Sequence, residues 1–130
     1  MFELKVTSFF SAAHSLREYK GECESVHGHN FKVEVTVSSK TLNDQGLVID
    51  FKDLKKIVNR VISCLDHKDL NAIDFFKVNN PSSENIAKFI YKGVSTKLGS
   101  RCYLKRVTVF EQRDYSASYF EEAQNNNGFE

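Results

Sequence analysis

The sequence predicts an α+β domain: a four-stranded antiparallel sheet with two helices on one face, in the order strand, strand, helix, helix, strand, strand. Three observations point to it. Apolar and polar residues alternate in two N-terminal stretches, around 2–10 and 31–37. Apolar residues then recur every three or four positions in two later stretches, and alternation returns after residue 103. A chain of 130 residues suits one domain. The expected organisation is a single domain over residues 1–121 and a flexible tail over 122–130.

In the first strand Phe2, Leu4, Val6 and Phe10 are apolar, against Glu3, Lys5 and Thr7. The same parity extends through Ala12 to His14, which predicts that His14 points to the core face. Residues 15–26 are polar and read as a long loop. The second strand is cleaner, with Phe31, Val33, Val35 and Val37 on one face. Counting back places His27 and His29 on that face, with Gly28 between them. The turn Asn43-Asp44-Gln45-Gly46 precedes Asp50, a candidate N-cap. Phe51, Leu54, Ile57, Val58, Val61, Ile62 and Leu65 then predict an amphipathic helix of about four turns, with Cys64 as a packing neighbour. Residues 72–81 read as loop. Ser82 or Ser83 caps a second helix carrying Ile86, Phe89, Ile90, Val94 and Leu98, with Gly99 at its end. Tyr103, Val107 and Val109 share parity in a third strand ending at Glu111, and a turn near Gln112-Arg113-Asp114 leads into a fourth.

Composition narrows the function. The net charge of +1 carries no electrostatic argument for nucleic acid or membrane binding. No apolar run reaches the ~20 residues of a membrane span, and the N-terminus lacks signal-peptide character. Three cysteines without framework spacing suit reduced thiols and a cytoplasmic location. There is no Gly-rich dinucleotide fingerprint.

Three of the four histidines fall into one constellation: His14, His27 and His29. Three nitrogen ligands suit zinc, and three protein ligands leave a tetrahedral ion one open position. The competing readings are ordinary histidines, or a closed structural site with Cys23 as fourth ligand. If Cys23 is not a ligand, it is a candidate thiolate base beside the metal; a dication would lower its pKa and the flanking Glu22 and Glu24 would oppose this. Asp66-His67 contains the fourth histidine. A carboxylate on one ring nitrogen makes the pair a candidate proton shuttle, against the plainer reading of a cation at a helix C-terminus. Glu111 shares parity with Val107 and Val109. It is either an inward carboxylate that accepts from an amino group and a ring N–H of a ligand, or a strand-end charge in water.

Several blocks together resemble the 6-pyruvoyltetrahydropterin synthase family: Phe10-Ser11-Ala12-Ala13-His14, Cys23-x-x-x-His27-Gly28-His29-Asn30-Phe31, Gly46-Leu47-Val48-Ile49-Asp50-Phe51, Leu65-Asp66-His67-Lys68-Asp69-Leu70-Asn71 and Asn80-Pro81-Ser82-Ser83-Glu84. The resemblance runs to about Glu111, and residues from Gln112 onward match poorly. It implies a tunnelling fold and a homo-oligomer, expected to be a hexamer, with active sites between subunits. It implies zinc on His14, His27 and His29, Cys23 as general base, and Asp66 and His67 as a second proton-transfer group, in reach from a neighbouring subunit. It implies a pterin triphosphate, 7,8-dihydroneopterin triphosphate, as substrate, anchored by Glu111 with Ser82 and Ser83 nearby; Ser82 stands where the family usually has Thr. The three-residue gap between Cys23 and His27 resembles the 6-carboxytetrahydropterin synthase branch, a lyase that releases acetaldehyde and triphosphate in queuosine biosynthesis. The alternatives are the pyruvoyl-forming branch, a folate-linked branch that uses Glu in place of the Cys, and a non-catalytic zinc-stabilised binding protein.

Overall fold

The computed structural model describes residues 1–21 and 24–122. Strand β1 spans Phe2–His14 and β2 spans His27–Ser39. They pair antiparallel in unbroken register, from Phe2 opposite Ser39 to His14 opposite His27. Val33, Val35 and Val37 favour extended chain because their branched Cβ packs well on a pleated surface. These residues, with Phe31, Val6, Phe10 and Ala12, are buried on one face. No bulge interrupts the count, so the same parity carries His14 into the core, at 1% exposure.

Helix α1 spans Phe51–Ile62. Asp50 caps it, its carboxylate accepting from the Lys52 N–H at 2.8 Å. Leu54, Val58, Val61 and Ile62 form the buried stripe. A two-residue strand β3, Lys68–Asp69, follows. After a 3-10 turn at Leu70–Ala72 comes a short helix α2, Asp74–Val78. Helix α3, Ser83–Leu98, starts at the Ser82 cap, whose Oγ accepts from the Asn85 N–H, and stops at Gly99 with φ +62°. Helices α1 and α3 meet at Gly93, where a Cβ would lie 2.8 Å from Val61 Cγ1. Strand β4 is Tyr103–Gln112 and β5 is Tyr115–Tyr119. The sheet order is β3-β1-β2-β4-β5, with one apolar core between the sheet and the helices.

Four details differ from the sequence expectation. The sheet has five strands rather than four, because β3 adds in parallel at Ala12 and Ala13. The stretch expected to be loop holds α2, where Phe75 and Phe76 pack edge-on or tilted against Phe89 at ring distances of 5.4 and 5.5 Å. Cys64 is exposed, in the turn after α1 between the buried Ile62 and Leu65. Tyr103 is 44% exposed while Leu104 is buried. The pairing jumps from Thr36–Arg106 to Val37–Leu104, so Lys105 is an extra residue that reverses the parity. A second irregularity lies where Phe110 pairs with Ser116 and Gln112 with Tyr115, leaving Glu111 as the unpaired residue.

Candidate metal centre and its surroundings

His14 ends β1, His27 begins β2, and His29 stands two residues further along. Side chains two apart on a strand share a face, and His27 is opposite His14 across the ladder. The result is a cluster in which one nitrogen from each ring lies within 4.8 Å of the others. The rings meet edge to face, with centroids 4.8 to 5.3 Å apart. Phe31 lies beneath, edge-on to His14 and His29 at 5.5 and 5.6 Å and stacked on Phe10 at 4.9 Å.

The nitrogens divide into two sets. His14 Nδ1 faces the Pro81 carbonyl at 2.7 Å, and His27 Nδ1 faces the Ser25 carbonyl at 2.9 Å. A carbonyl only accepts, so each Nδ1 carries the proton and each Nε2 presents a lone pair. This is how ligand histidines are usually oriented by their outer partners. The Nε2 atoms of His14 and His29 are buried and have no hydrogen-bond partner among the described residues. Burial also holds the His29 imidazole below its ordinary pKa, opposed by Glu111. That shift favours the neutral ring, the form in which a histidine ligates a metal.

Glu111 is the bulge residue of β4, and its carboxylate reaches this cluster. Its Oε1 lies 3.3 Å from His14 Nε2 and 3.9 Å from His29 Nε2. A lone pair facing a carboxylate oxygen is two acceptors without a donor. A cation between them resolves the conflict, and the nitrogen set suits a transition metal such as zinc. The donor set therefore fits a metal ion.

Asp66 and His67 come together at the end of α1's trailing turn. Asp66 Oδ1 accepts from His67 Nδ1 at 3.0 Å and from the Ser11 N–H at 2.9 Å. The Ser11 N–H holds the Asp66 carboxyl below its ordinary pKa, with His67 adding to the effect. His67 has φ +59°, a conformation costly for a residue with a Cβ. Its own N–H donates to the Ser11 carbonyl at 2.6 Å, which holds the turn against β1. The His67 side chain is 81% exposed. It lines an open cleft with Ser11, Ala13, Gly28 and Asn30, of opposite strand parity to the three histidines, and with Ala12 and His29, which share that parity. Within one chain, among the described residues, nothing bonds Asp66 or His67 to the histidine cluster.

Ser82 Oγ serves as the α3 cap, accepting from Asn85 N–H at 3.2 Å, and Ser83 opens the helix. Cys23 and Glu22 lie outside the described residues. Sequence reasoning missed Pro81 and Ser25, because a backbone carbonyl leaves no trace in residue type.

Residues 3–122 match the 6-pyruvoyl tetrahydropterin synthase family. The match passes the expected end near Glu111, takes in β5 and stops at residue 122. The chain is 43% identical over 109 residues to an Archaeoglobus fulgidus protein provisionally named 6-carboxy-5,6,7,8-tetrahydropterin synthase, covering 84% of this chain and 87% of the relative. It is 40% identical over 101 residues to the Bacillus subtilis 6-carboxy-5,6,7,8-tetrahydropterin synthase, covering 75% and 68%. It is 38% identical over 106 residues to the Pyrococcus furiosus dihydroneopterin monophosphate aldolase, covering 82% and 86%. Among solved structures, the Caenorhabditis elegans 6-pyruvoyl tetrahydropterin synthase superposes with a TM-score of 0.82 at 26% identity, covering 93% of this chain and 96% of that one.

Proposed function

This chain belongs to the 6-pyruvoyl tetrahydropterin synthase family, and from that premise we propose that it is a zinc-dependent lyase. In this reading it converts 7,8-dihydroneopterin triphosphate to 6-carboxy-5,6,7,8-tetrahydropterin, with release of acetaldehyde and triphosphate, as a step in queuosine biosynthesis. The observation that carries the reading is the pair of buried Nε2 atoms of His14 and His29, without a hydrogen-bond partner among the described residues, converging with His27 beside the Glu111 carboxylate. The spacing Cys23-x-x-x-His27 and the names of the Archaeoglobus and Bacillus relatives support the carboxy product over its alternatives.

His14, His27 and His29 hold the ion. Zinc would polarise a side-chain oxygen of the substrate and acidify the adjacent C–H. Glu111 receives the pterin amino group and ring N–H, its aim set by the bulge in β4. Ser82 and Ser83 lie at the start of α3, immediately after the carbonyl that orients His14, and contribute hydroxyls to the pterin side. Cys23 takes a proton as thiolate. Asp66 orients His67 through Nδ1, which leaves His67 Nε2 free to move a proton. His67 is exposed and not bonded to the histidines of its own chain, and in this reading it serves a second chain's metal centre in a homo-oligomer, built along the sheet edges that one chain leaves open. Residues 1–121 act as one domain.

The aldolase name of the Pyrococcus relative favours a second reading, a pterin enzyme with a different cleavage product in folate-type metabolism. A pyruvoyl-forming enzyme is the remaining catalytic alternative. Product analysis separates these readings. Zinc-loaded protein is given dihydroneopterin triphosphate, and the pterin is identified by chromatography and mass. Carboxytetrahydropterin with acetaldehyde supports the proposal. A pyruvoyl or hydroxymethyl pterin replaces it with an alternative, and absence of any product reduces the chain to a zinc-stabilised binding protein.

A further inference from the structure

The three residues after His14 leave the sheet, yet each of their peptide groups is fully bonded. The Ser15 N–H donates to Asn71 Oδ1 at 2.9 Å, and Asn71 Nδ2 donates back to the Ser15 carbonyl at 2.9 Å. The Arg17 N–H donates to Asn80 Oδ1 at 2.8 Å, and Asn80 Nδ2 donates to the Arg17 carbonyl at 3.1 Å. Between them, the Leu16 N–H donates to Glu24 Oε1 at 2.9 Å and the Leu16 carbonyl accepts from the Glu24 N–H at 2.9 Å. A primary amide offers a donor and an acceptor side by side, the same pair that a peptide on a neighbouring strand presents. Asn71 and Asn80 thus stand in for strand partners where β1 ends.

Asn80 is itself anchored. Its carbonyl accepts from the Ser82 N–H at 2.8 Å and from Asn85 Nδ2 at 2.9 Å, which ties it to the first turn of α3. The next residue, Pro81, offers the carbonyl that faces His14 Nδ1 at 2.7 Å. The Asn80-Pro81 dipeptide therefore holds His14 from two directions. The side chain of Asn80 fixes the backbone just beyond His14, and the Pro81 carbonyl sets the ring's tautomer. If Asn80 shifts, the carbonyl and the backbone move relative to each other, and the buried Nε2 loses its aim.

We propose that Asn80, backed by Asn71, is a positioning residue for the metal ligand His14. The proposal rests on reading the three histidines as a metal centre, and it is independent of which pterin is made. The test is cobalt(II) titration of metal-stripped protein, followed by its visible absorption, with thermal unfolding of the metal-free form measured in parallel. Asn80→Ala removes the clamp. Asn80→Asp keeps its shape but faces the Arg17 carbonyl with a carboxylate that cannot donate, and so serves where the alanine variant fails to fold. Each should weaken cobalt binding about tenfold, the usual range for loss of an outer partner, and should alter the cobalt absorption bands. Wild-type affinity and bands in the folded variants would overturn the positioning role, even where thermal stability falls, because the clamp would then be structural only. A wild-type protein that binds no cobalt overturns it together with the metal reading. Wild-type protein that binds cobalt tightly while Asn80→Asp binds weakly supports it, whatever the pterin assay returns.

Discussion

Restoring zinc to metal-stripped protein should raise its unfolding temperature by roughly 10 °C, and His14→Ala should remove most of that rise. The magnitude follows from two routes. A buried acceptor without a partner costs about 1–3 kcal/mol. His14 Nε2 and His29 Nε2 are two such atoms, so an ion that satisfies both relieves about 2–6 kcal/mol. By mass action, free zinc at a hundredfold excess over its dissociation constant stabilises the folded state by about 2.7 kcal/mol, within that range. For a domain of this size each kcal/mol moves the midpoint by about 3–5 °C. His14→Ala deletes one of three ligands along with the ring held by Pro81. The variant has its own lower baseline, so the quantity read is the zinc-induced shift. The assay is thermal unfolding followed by circular dichroism, with and without zinc. A wild-type shift below about 2 °C under saturating zinc, less than one kcal/mol on that scale, would refute the reasoning. So would an equal shift in His14→Ala.

Cys23→Ala should retain zinc by elemental analysis while turnover falls about a hundredfold or more, the ordinary contribution of a positioned acid or base; loss of zinc with the thiol would instead make Cys23 a ligand. Metal-free protein should lose stability on acidification in two windows. Burial holds His29 below its ordinary value, so the unfolded chain takes up protons first as pH falls through about 6.5, and stability declines until the folded ring protonates. The Ser11 N–H holds Asp66 below its ordinary value, so a second decline begins near pH ~4 and continues as pH falls through the folded pKa. Unfolding midpoints across pH check both, with His29→Gln flattening the first window and Asp66→Asn the second. Gly93→Ala should destabilise by about 1–2 kcal/mol, because overpacking costs up to about 3 and the helix gains at most about 1. The new Cβ would sit 2.8 Å from Val61 Cγ1, so adding Val61→Ala should remove the clash in urea unfolding.

The histidine cluster was legible because strand alternation is a local rule and β1 and β2 obey it without a break. Counting by twos from Val6 reaches His14, and counting back from Phe31 reaches His29 and His27. The same rule failed at Tyr103, because an extra residue at Lys105 is set by pairing with β2 and leaves no mark in composition. The bulge at Glu111 is of the same kind, although there the parity from Val109 still points the carboxylate inward. Cys64 lies two residues past the last turn of α1, where a helical count is least secure. Helix α2 is too short for periodicity and depends on Phe75 and Phe76 meeting Phe89. Asp66 and His67 were legible as a pair, but the left-handed turn at His67 and its tie to Ser11 were not. The clamp on residues 15–17 joins positions 8 to 63 residues apart in sequence, so only the folded chain displays it.

The most direct test of the central claim is turnover of dihydroneopterin triphosphate by one preparation in two states, stripped of metal and restored with one zinc per chain, with acetaldehyde and triphosphate both quantified. The account predicts the two products in equal amounts from the restored protein and neither from the stripped protein. Equal turnover in both states, or zinc-replete folded protein that releases neither product, would contradict it.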